Sequence, residues 1–236
     1  MTIWWEVEDA LEEIIDNYTR VNHVISFFQD DRARLKGLDK SGCPTGVVLE
    51  LGSGPGNFTR MLCTKVEGHI VCMDYSVRML PVARASNMDD RIGFVQGIFE
   101  ALPFREGSLS LTMTAYALRD SKDMIRVLQE IRRALKDEGK LVVIDIGKPS
   151  NLLISGFFSL YMRHIVPVLA GVVAGYGYRN PWGILYDTYA VLPIDRHLLW
   201  TMEEIFGGAE MEELAFGGLV VILARKGWLQ GSNSCS

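Results

Sequence analysis

Residues 47–59 read VVLELGSGPGNFT. A short apolar run ends at Leu51, glycines follow at Gly52, Gly54 and Gly56, and the residues after them open a helix. Glycine accepts positive φ and lets the backbone approach a ligand closely. In open α/β sheets ligands bind at the carboxyl ends of the strands, where this turn falls. Taken alone, a glycine cluster is weak evidence, because a tight turn with no ligand also uses one.

The next apolar run, HIVCMD at His69–Asp74, ends in an acid. Asp74 lies about twenty residues beyond the turn, where a carboxylate can accept hydrogen bonds from both ribose hydroxyls of an adenosine. It can also cap the helix that starts near Ser76, and the two roles are compatible. The glycine spacing is G-x-G-x-G, whereas a pyrophosphate turn uses G-x-G-x-x-G. Glu50, one residue before the end of its strand, suits an ammonium group or a turn amide and repels a phosphate. Both features favour S-adenosyl-L-methionine over NAD.

Outward from the turn, strand and helix alternate. The pattern predicts strands at Val47–Leu51, 69–73, Ile92–Gln96, 109–114 and 141–146. Helices are expected over 57–65, 77–85 and 122–135, the last with Met124, Ile125, Leu128, Ile131 and Leu135 on one face. Buried runs alternating with helices imply a parallel sheet covered on both sides. After a helix over 200–206, two strands flank Gly217-Gly218 and read as a hairpin. The expected fold is therefore α/β, a Rossmann-like seven-stranded sheet that is mostly parallel with a C-terminal antiparallel hairpin, the layout of class I methyltransferases.

The first forty residues carry Ala10, Leu11, Ile14, Ile15, Tyr18, Val21, Val24 and Ile25 at three- and four-residue steps, a helical pattern broken at Cys43-Pro44-Thr45-Gly46. One domain over 1–228 is expected. It divides into an N-terminal helical lid (1–45), a cofactor-binding core (46–148), a helical cap (149–199) and a final helix with hairpin (200–228), followed by a disordered tail (229–236).

Of 236 residues, 48% are hydrophobic and 22% charged, an ordinary folded composition, and the net charge of −5 argues against a duplex nucleic-acid binder. Cys43, Cys63, Cys72 and Cys235 have no metal-ligand spacing. The acidic start MTIWWEVEDALEE is unlike a signal peptide. The longest apolar stretch, 165–175, is too short for a bilayer crossing of roughly 20 residues. These readings imply a cytoplasmic protein that touches a membrane surface at most.

Several stretches resemble the ubiquinone/menaquinone biosynthesis C-methyltransferases: LELGSGPGNFT (49–59), MDYSVRMLPVAR (73–84), EALPF (100–104), YALRD (116–120) and RRALKDEGKLVVIDIGKP (132–149). YMRHIVPVLAG (161–171) is similar to the family's Tyr–Pro–Gly signature, and DNYTRVNHVISF (16–27) to its N-terminal helix. The resemblance covers about 15–226. It implies that Gly52, Gly54 and Gly56 line the methionine part of S-adenosyl-L-methionine, with Ser53 in the same turn and Thr59 on the adjoining helix. Asp74 would take the ribose and Tyr75 would pack on the adenine, with Met79 beside it. Ile98 and Phe99 stand where the family usually has Asp or Asn followed by Ala, and Ala115 where it often has Ser. Residues 136–139 replace a Lys-Pro-Gly-Gly turn.

The acceptor implied is a prenylated quinol. Methyl transfer to carbon requires alignment, exclusion of water and stabilisation of a phenolate. Arg119, at the ligand edge of the sheet, is the candidate for that charge; a salt bridge to Asp120, Asp123 or Asp145 is its structural alternative. Tyr161 and His164, in the cap, are candidates to contact a ring hydroxyl, His164 as proton acceptor, although a structural hydrogen bond would also account for the histidine. No metal is required. Phe157, Phe158, Tyr161, Val166, Leu169, Val172, Tyr176, Trp182 and Leu185 would form an apolar slot or membrane-facing surface. They would equally serve as the cap's own core or a homodimer interface. Methylation of another apolar small molecule and S-adenosyl-L-methionine binding without catalysis stay open beside this reading.

Overall fold

The computed structural model describes residues 15–177 and 180–227. Ala10, Leu11, Ile14, Cys235 and the expected tail lie outside them. The strands are β1 (Val47–Leu51), β2 (His69–Asp74), β3 (Ile92–Gln96), β4 (Leu109–Ala115), β5 (Leu135–Ile146), β6 (Ala209–Leu214) and β7 (Leu219–Arg225). They form one seven-stranded sheet in the order β3-β2-β1-β4-β5-β7-β6. The pairs among β1 to β5 are parallel, and β7 runs antiparallel between β5 and β6. The expected hairpin is therefore present, with its second strand inserted next to β5. The central strands are rich in buried apolar residues because both faces of the sheet are covered. Edge strand β6 carries Glu210, Glu212 and Glu213, so the exposed side of the sheet is charged.

One face is covered by α2 (Gln29–Ser41) and α3 (Asn57–Cys63), which set Ala33, Leu38, Phe58 and Leu62 against Val142, Ile144 and Val221. A side chain at Gly37 would run into Ile144, so the glycine sets how close α2 comes to β5. The other face is covered by α5 (Met124–Ala134) and α9 (Asp195–Phe206), with Val127, Leu128, Ile131, Met202 and Phe206 packed on Val143, Val220 and Ile222. Each such buried side chain contributes about 1.5–3 kcal/mol. Helix α4 (Met79–Ser86) follows β2.

The N-terminal helical pattern is split. Helix α1 (Tyr18–Ile25) ends at Ser26, and Phe27 and Phe28 take left-handed backbones, φ 52° and 60°. Ser26 Oγ donates to Asp30 Oδ1 at 2.8 Å and caps the junction. Helical spacing continues across the break, which is why periodicity alone does not reveal it.

The fifth strand starts earlier than its apolar run. β5 begins at Leu135, directly after α5, and the expected turn at 136–139 is an irregularity inside it. The pairing jumps from Leu109↔Leu135 to Leu111↔Lys140, and Glu138 sits at φ 59°.

The cap is built from α6 (Leu152–Leu160), a π turn (Tyr161–Ile165), α7 (Val166–Ala174) and α8 (Ile184–Val191). The first three run on as one helix over Leu152–Ala174, 23 residues, long and apolar enough to cross a membrane. This corrects the reading of 165–175 as the longest apolar stretch: Arg163 and His164 interrupt the composition but not the helix. The π turn stands just ahead of Pro167, whose ring and missing N–H disturb an α-helical turn. The cap's core sets Met162, Val166 and Ala170 against Val21 of α1 and against Trp182 and Tyr189.

Candidate active site

The glycine turn leaves β1 at the carboxyl edge of the sheet. Gly52 and Ser53 N–H donate to the Met73 carbonyl, 2.8 and 3.1 Å, which ties the end of β1 to the end of β2. Gly54 N–H donates to Asp74 Oδ2 at 2.8 Å, and Ser76 N–H to Asp74 Oδ1 at 3.0 Å. Asp74 thus meets the turn after β2 and the glycine turn after β1 with one carboxylate. An ionised carboxylate has about four lone-pair sites, so these bonds leave acceptor capacity towards the adjoining cleft.

That cleft is lined by Gly52, Gly54, Asp74, Tyr75, Met79, Ile98, Phe99 and Ala115, eight of the twelve residues expected at the cofactor. The other four lie beneath or behind it. Glu50 is buried and accepts from Thr59 Oγ1 at 2.6 Å and from the Cys72 thiol at 3.4 Å. It braces the turn from below through Thr59 and Cys72, in place of the expected ammonium group or turn amide. Burial is the main cause that pushes its carboxyl up to about 7, and the hydrogen bonds from Thr59 and Cys72 oppose it. Thr59 is buried against Glu50 for the same reason. Gly56 packs at the start of α3, where its carbonyl accepts from Asn87 Nδ2 at 3.2 Å and a side chain would run into Asn87 and Ala83. Ser53 is buried.

The residues fit S-adenosyl-L-methionine on two observations. Ser53 Oγ, buried in the turn, has no hydrogen-bond partner among the described residues. A Cβ on Gly54 would meet nothing within 4 Å, so the backbone faces open space. The cleft is also acidic. Asp74, Glu100 and Asp120 line it with Lys122 as their one basic neighbour in the lining, a field that suits a cationic ligand and opposes a pyrophosphate.

Sequence reasoning passed over the loop after β4 as cofactor lining. Tyr116, Ala117, Asp120, Ser121 and Lys122 all face the cleft. The segment YALRD carried the signal, but no glycine marks it. Tyr116 holds φ 63°, a strained value for a residue with a Cβ, which aims the loop across the strand ends. Burial pushes the Asp120 carboxyl up to about 6 while neighbouring Arg119 pulls it down.

A second cavity of about 610 Å³ lies under the cap. Phe157, Phe158, Tyr161, Val166, Trp182 and Leu185, all expected in an apolar slot, line it. Val172 points outward instead, and Leu169 and Tyr176 are not in the lining. Tyr116 is the one residue lining both cavities. Its ring lies under the Arg34 guanidinium, 5.0 Å away, and its hydroxyl donates to the Asp30 carbonyl at 3.2 Å.

Arg119 lines the larger cavity and is buried. Its Nη1 donates to Asp145 Oδ1 at 2.7 Å and to the Tyr116 carbonyl at 2.8 Å. The expected charge and its structural alternative thus coexist: the salt bridge is formed, and the guanidinium still borders the cavity. Tyr161 lines the cavity too, with its hydroxyl donating to the Ile25 carbonyl at 2.7 Å, which pins the cap to α1. His164 is exposed on the π turn and lies outside both linings. It is therefore withdrawn as proton acceptor: its ring stands on the outer side of the helix, away from the cavity.

Comparison with known proteins adds the following. A family model described as the ubiE/COQ5 methyltransferase family matches residues 4–217. The demethylmenaquinone methyltransferase of Lactococcus lactis is 34% identical over 174 residues, 71% of this chain and 69% of that one. The ubiquinone/menaquinone biosynthesis C-methyltransferase UbiE of Hahella chejuensis is 30% identical over 175 residues, 71% of this chain and 70% of that one. Among solved structures, a possible histamine N-methyltransferase from Thermotoga maritima shares the fold at TM-score 0.63 and 19% identity, covering 93% of this chain and 99% of that one.

Proposed function

The chain belongs to the ubiE/COQ5 methyltransferase family, and from that premise we propose that it methylates a ring carbon of a quinol bearing a long apolar tail. It is an S-adenosyl-L-methionine-dependent methyltransferase. The observation that carries the acceptor reading is the meeting of two unlike cavities at Tyr116: an acidic cleft at the glycine turn and an apolar slot of about 610 Å³. A slot of that size and character suits a prenyl chain with a ring at its inner end.

S-adenosyl-L-methionine, when bound, supplies an electrophilic methyl group. In this reading Gly52, Gly54 and the free hydroxyl of Ser53 hold its methionine part, Asp74 its ribose, and Tyr75 and Met79 the base. Asp145 fixes the Arg119 guanidinium in orientation, and Arg119 offers its charge to the oxygen of the bound ring. Ionised to a phenolate, with its proton passing to water, the ring places electron density on the neighbouring carbon. Once that carbon carries the methyl group, its own proton is lost to water to restore the aromatic ring. Tyr116 separates the chambers and keeps the ring carbon in line, while the cap side chains exclude water. The tail implies an acceptor that resides in a membrane, so we infer that the protein works against a membrane surface.

The test is incubation of the protein with S-adenosyl-L-methionine and demethylmenaquinol, followed by mass analysis. The expected product gains one CH₂ unit on the ring. Turnover of other apolar phenols but of no quinol would move the acceptor to a different class. A second reading, binding without turnover, rests on Ile98 and Phe99. Both line the cleft with side chains that offer no hydrogen bond to an adenine edge. Calorimetric binding of S-adenosyl-L-methionine with no methylated product from any acceptor would favour it.

A further inference from the structure

We infer that the outer face of the Leu152–Ala174 helix docks on a lipid bilayer, with the mouth of the larger cavity opening into it. On this helix Leu153, Phe157, Leu160, His164, Val168 and Val172 recur at three- and four-residue steps and are all exposed. Leu153 is 86% exposed and Val172 80%, so the stripe, apolar except at His164, is left open by the described residues. The opposite face, with Met162, Val166 and Ala170, is buried against Val21 and Trp182. A helix committed to protein on one side and bare on the other lies in the plane of an interface, half immersed, rather than crossing it.

Two observations favour a bilayer as the occupant. The first is charge. The chain carries −5 overall, yet no Asp or Glu occurs between Asp145 and Asp187. The exposed ionisable side chains of the helix, Arg163 and His164, are basic or neutral. An acidic face would be repelled by anionic headgroups, and this one is free of acids. The second is continuity. The cavity is bordered by Phe27, Phe157 and Phe216, three exposed rings, one of them on the stripe itself. Phe27 and Phe216 are held on left-handed backbones, φ 52° and 58°, at a cost in backbone strain. Immersion of these rings in acyl chains would offset that cost, and a bilayer leaves an apolar tail a dry path into the slot. A protein cover would close the same mouth. The tail path, though not the docking itself, rests on the proposed acceptor.

The experiment is co-sedimentation of the whole chain with phosphatidylcholine–phosphatidylglycerol vesicles, without cofactor or quinol. The comparison is a Leu153→Ser/Leu160→Ser/Val172→Ser variant, whose three sites lie outside both cavities. The native chain is expected to sediment with vesicles and the variant to lose about tenfold or more in partition, with an unchanged melting curve. Three results would overturn the inference: a native chain that stays in the supernatant, a variant that binds like the native chain, or a native dimer in lipid-free buffer that the variant converts to a monomer. The last would show that a second copy covers this face. Vesicle binding without methylation of any quinol would sink the acceptor reading and leave the docking surface standing. Turnover of a short-tailed quinol without vesicle binding would do the reverse.

Discussion

Arg119 and Asp145 form a buried ion pair, Nη1 to Oδ1 2.7 Å, between the turn after β4 and the end of β5. Removing one partner leaves the other charge buried and uncompensated, a loss of about 3–5 kcal/mol. Arg119→Ala is therefore expected to lower stability by that amount in urea unfolding, and Arg119→Met/Asp145→Leu to recover most of it. Arg119→Lys is the better probe of chemistry because it keeps a charge while losing the planar fork. Its kcat should fall while cofactor affinity holds. Equal losses of the two would contradict a role confined to the acceptor.

Asp74 joins the glycine turn after β1 to the turn after β2 and borders the cofactor cleft. Asp74→Ala is expected to raise the Kd for S-adenosyl-L-methionine about tenfold or more, since a hydrogen bond to a charged group contributes about 1.5–3 kcal/mol. Isothermal titration calorimetry measures it. Asp74→Asn keeps one acceptor and should lose less. An unchanged Kd in Asp74→Ala would remove this residue from the binding site.

Glu50 makes stability depend on pH. Its folded-state pKa, about 7, lies above its ordinary value of 4.5 because the side chain is buried. The folded protein therefore holds this proton more tightly than the unfolded chain does. The contribution is full below about pH 4.5 and is lost as pH rises through 7. Across that window Glu50 should cost on the order of 3 kcal/mol. Glu50→Gln is expected to flatten this slope and to be the more stable protein at pH 8 in denaturant titrations. Parallel pH profiles for the two proteins would show that the carboxyl titrates normally.

The glycines of the turn should fail in different ways. A methyl group on Gly52 would run into Ala117 and come within 3.2 Å of Phe99 Cζ, on a backbone at φ 75°. Gly52→Ala should therefore lower the melting temperature as well as cofactor affinity. A methyl on Gly54 meets nothing, so its fold penalty is only the left-handed strain of about 1–2 kcal/mol. The larger effect of Gly54→Ala should be on cofactor affinity, because the added carbon occupies the cleft. Thermal melts beside calorimetry would separate the two, and identical profiles would argue against that difference in surroundings.

The parts legible in the sequence are those written in apolar runs and glycines. Buried strands alternating with helices imply a parallel sheet, which is enough to place Gly52, Gly54 and Asp74 at its carboxyl edge. Features made by distant or non-glycine residues were not legible. Asp145 is one of three candidate partners for Arg119 in the sequence, and the choice of it, at 2.7 Å, follows from β5 lying beside β4. The left-handed turns at Phe27-Phe28 and Tyr116 use residues whose side chains give no turn signal. Glu50 was placed on its strand correctly, but its inward direction is set by the pleat and by Thr59 on α3. The unbroken Leu152–Ala174 helix was hidden because Arg163 and His164 divide its composition.

Tyr116 is the one described residue that lines both cavities, so in the proposed reading it stands between donor and acceptor. Substitutions in the cap can therefore reshape acceptor choice over generations while every contact at the glycine edge stays as it was. A frame divided in this way can diversify in chemistry one chamber at a time.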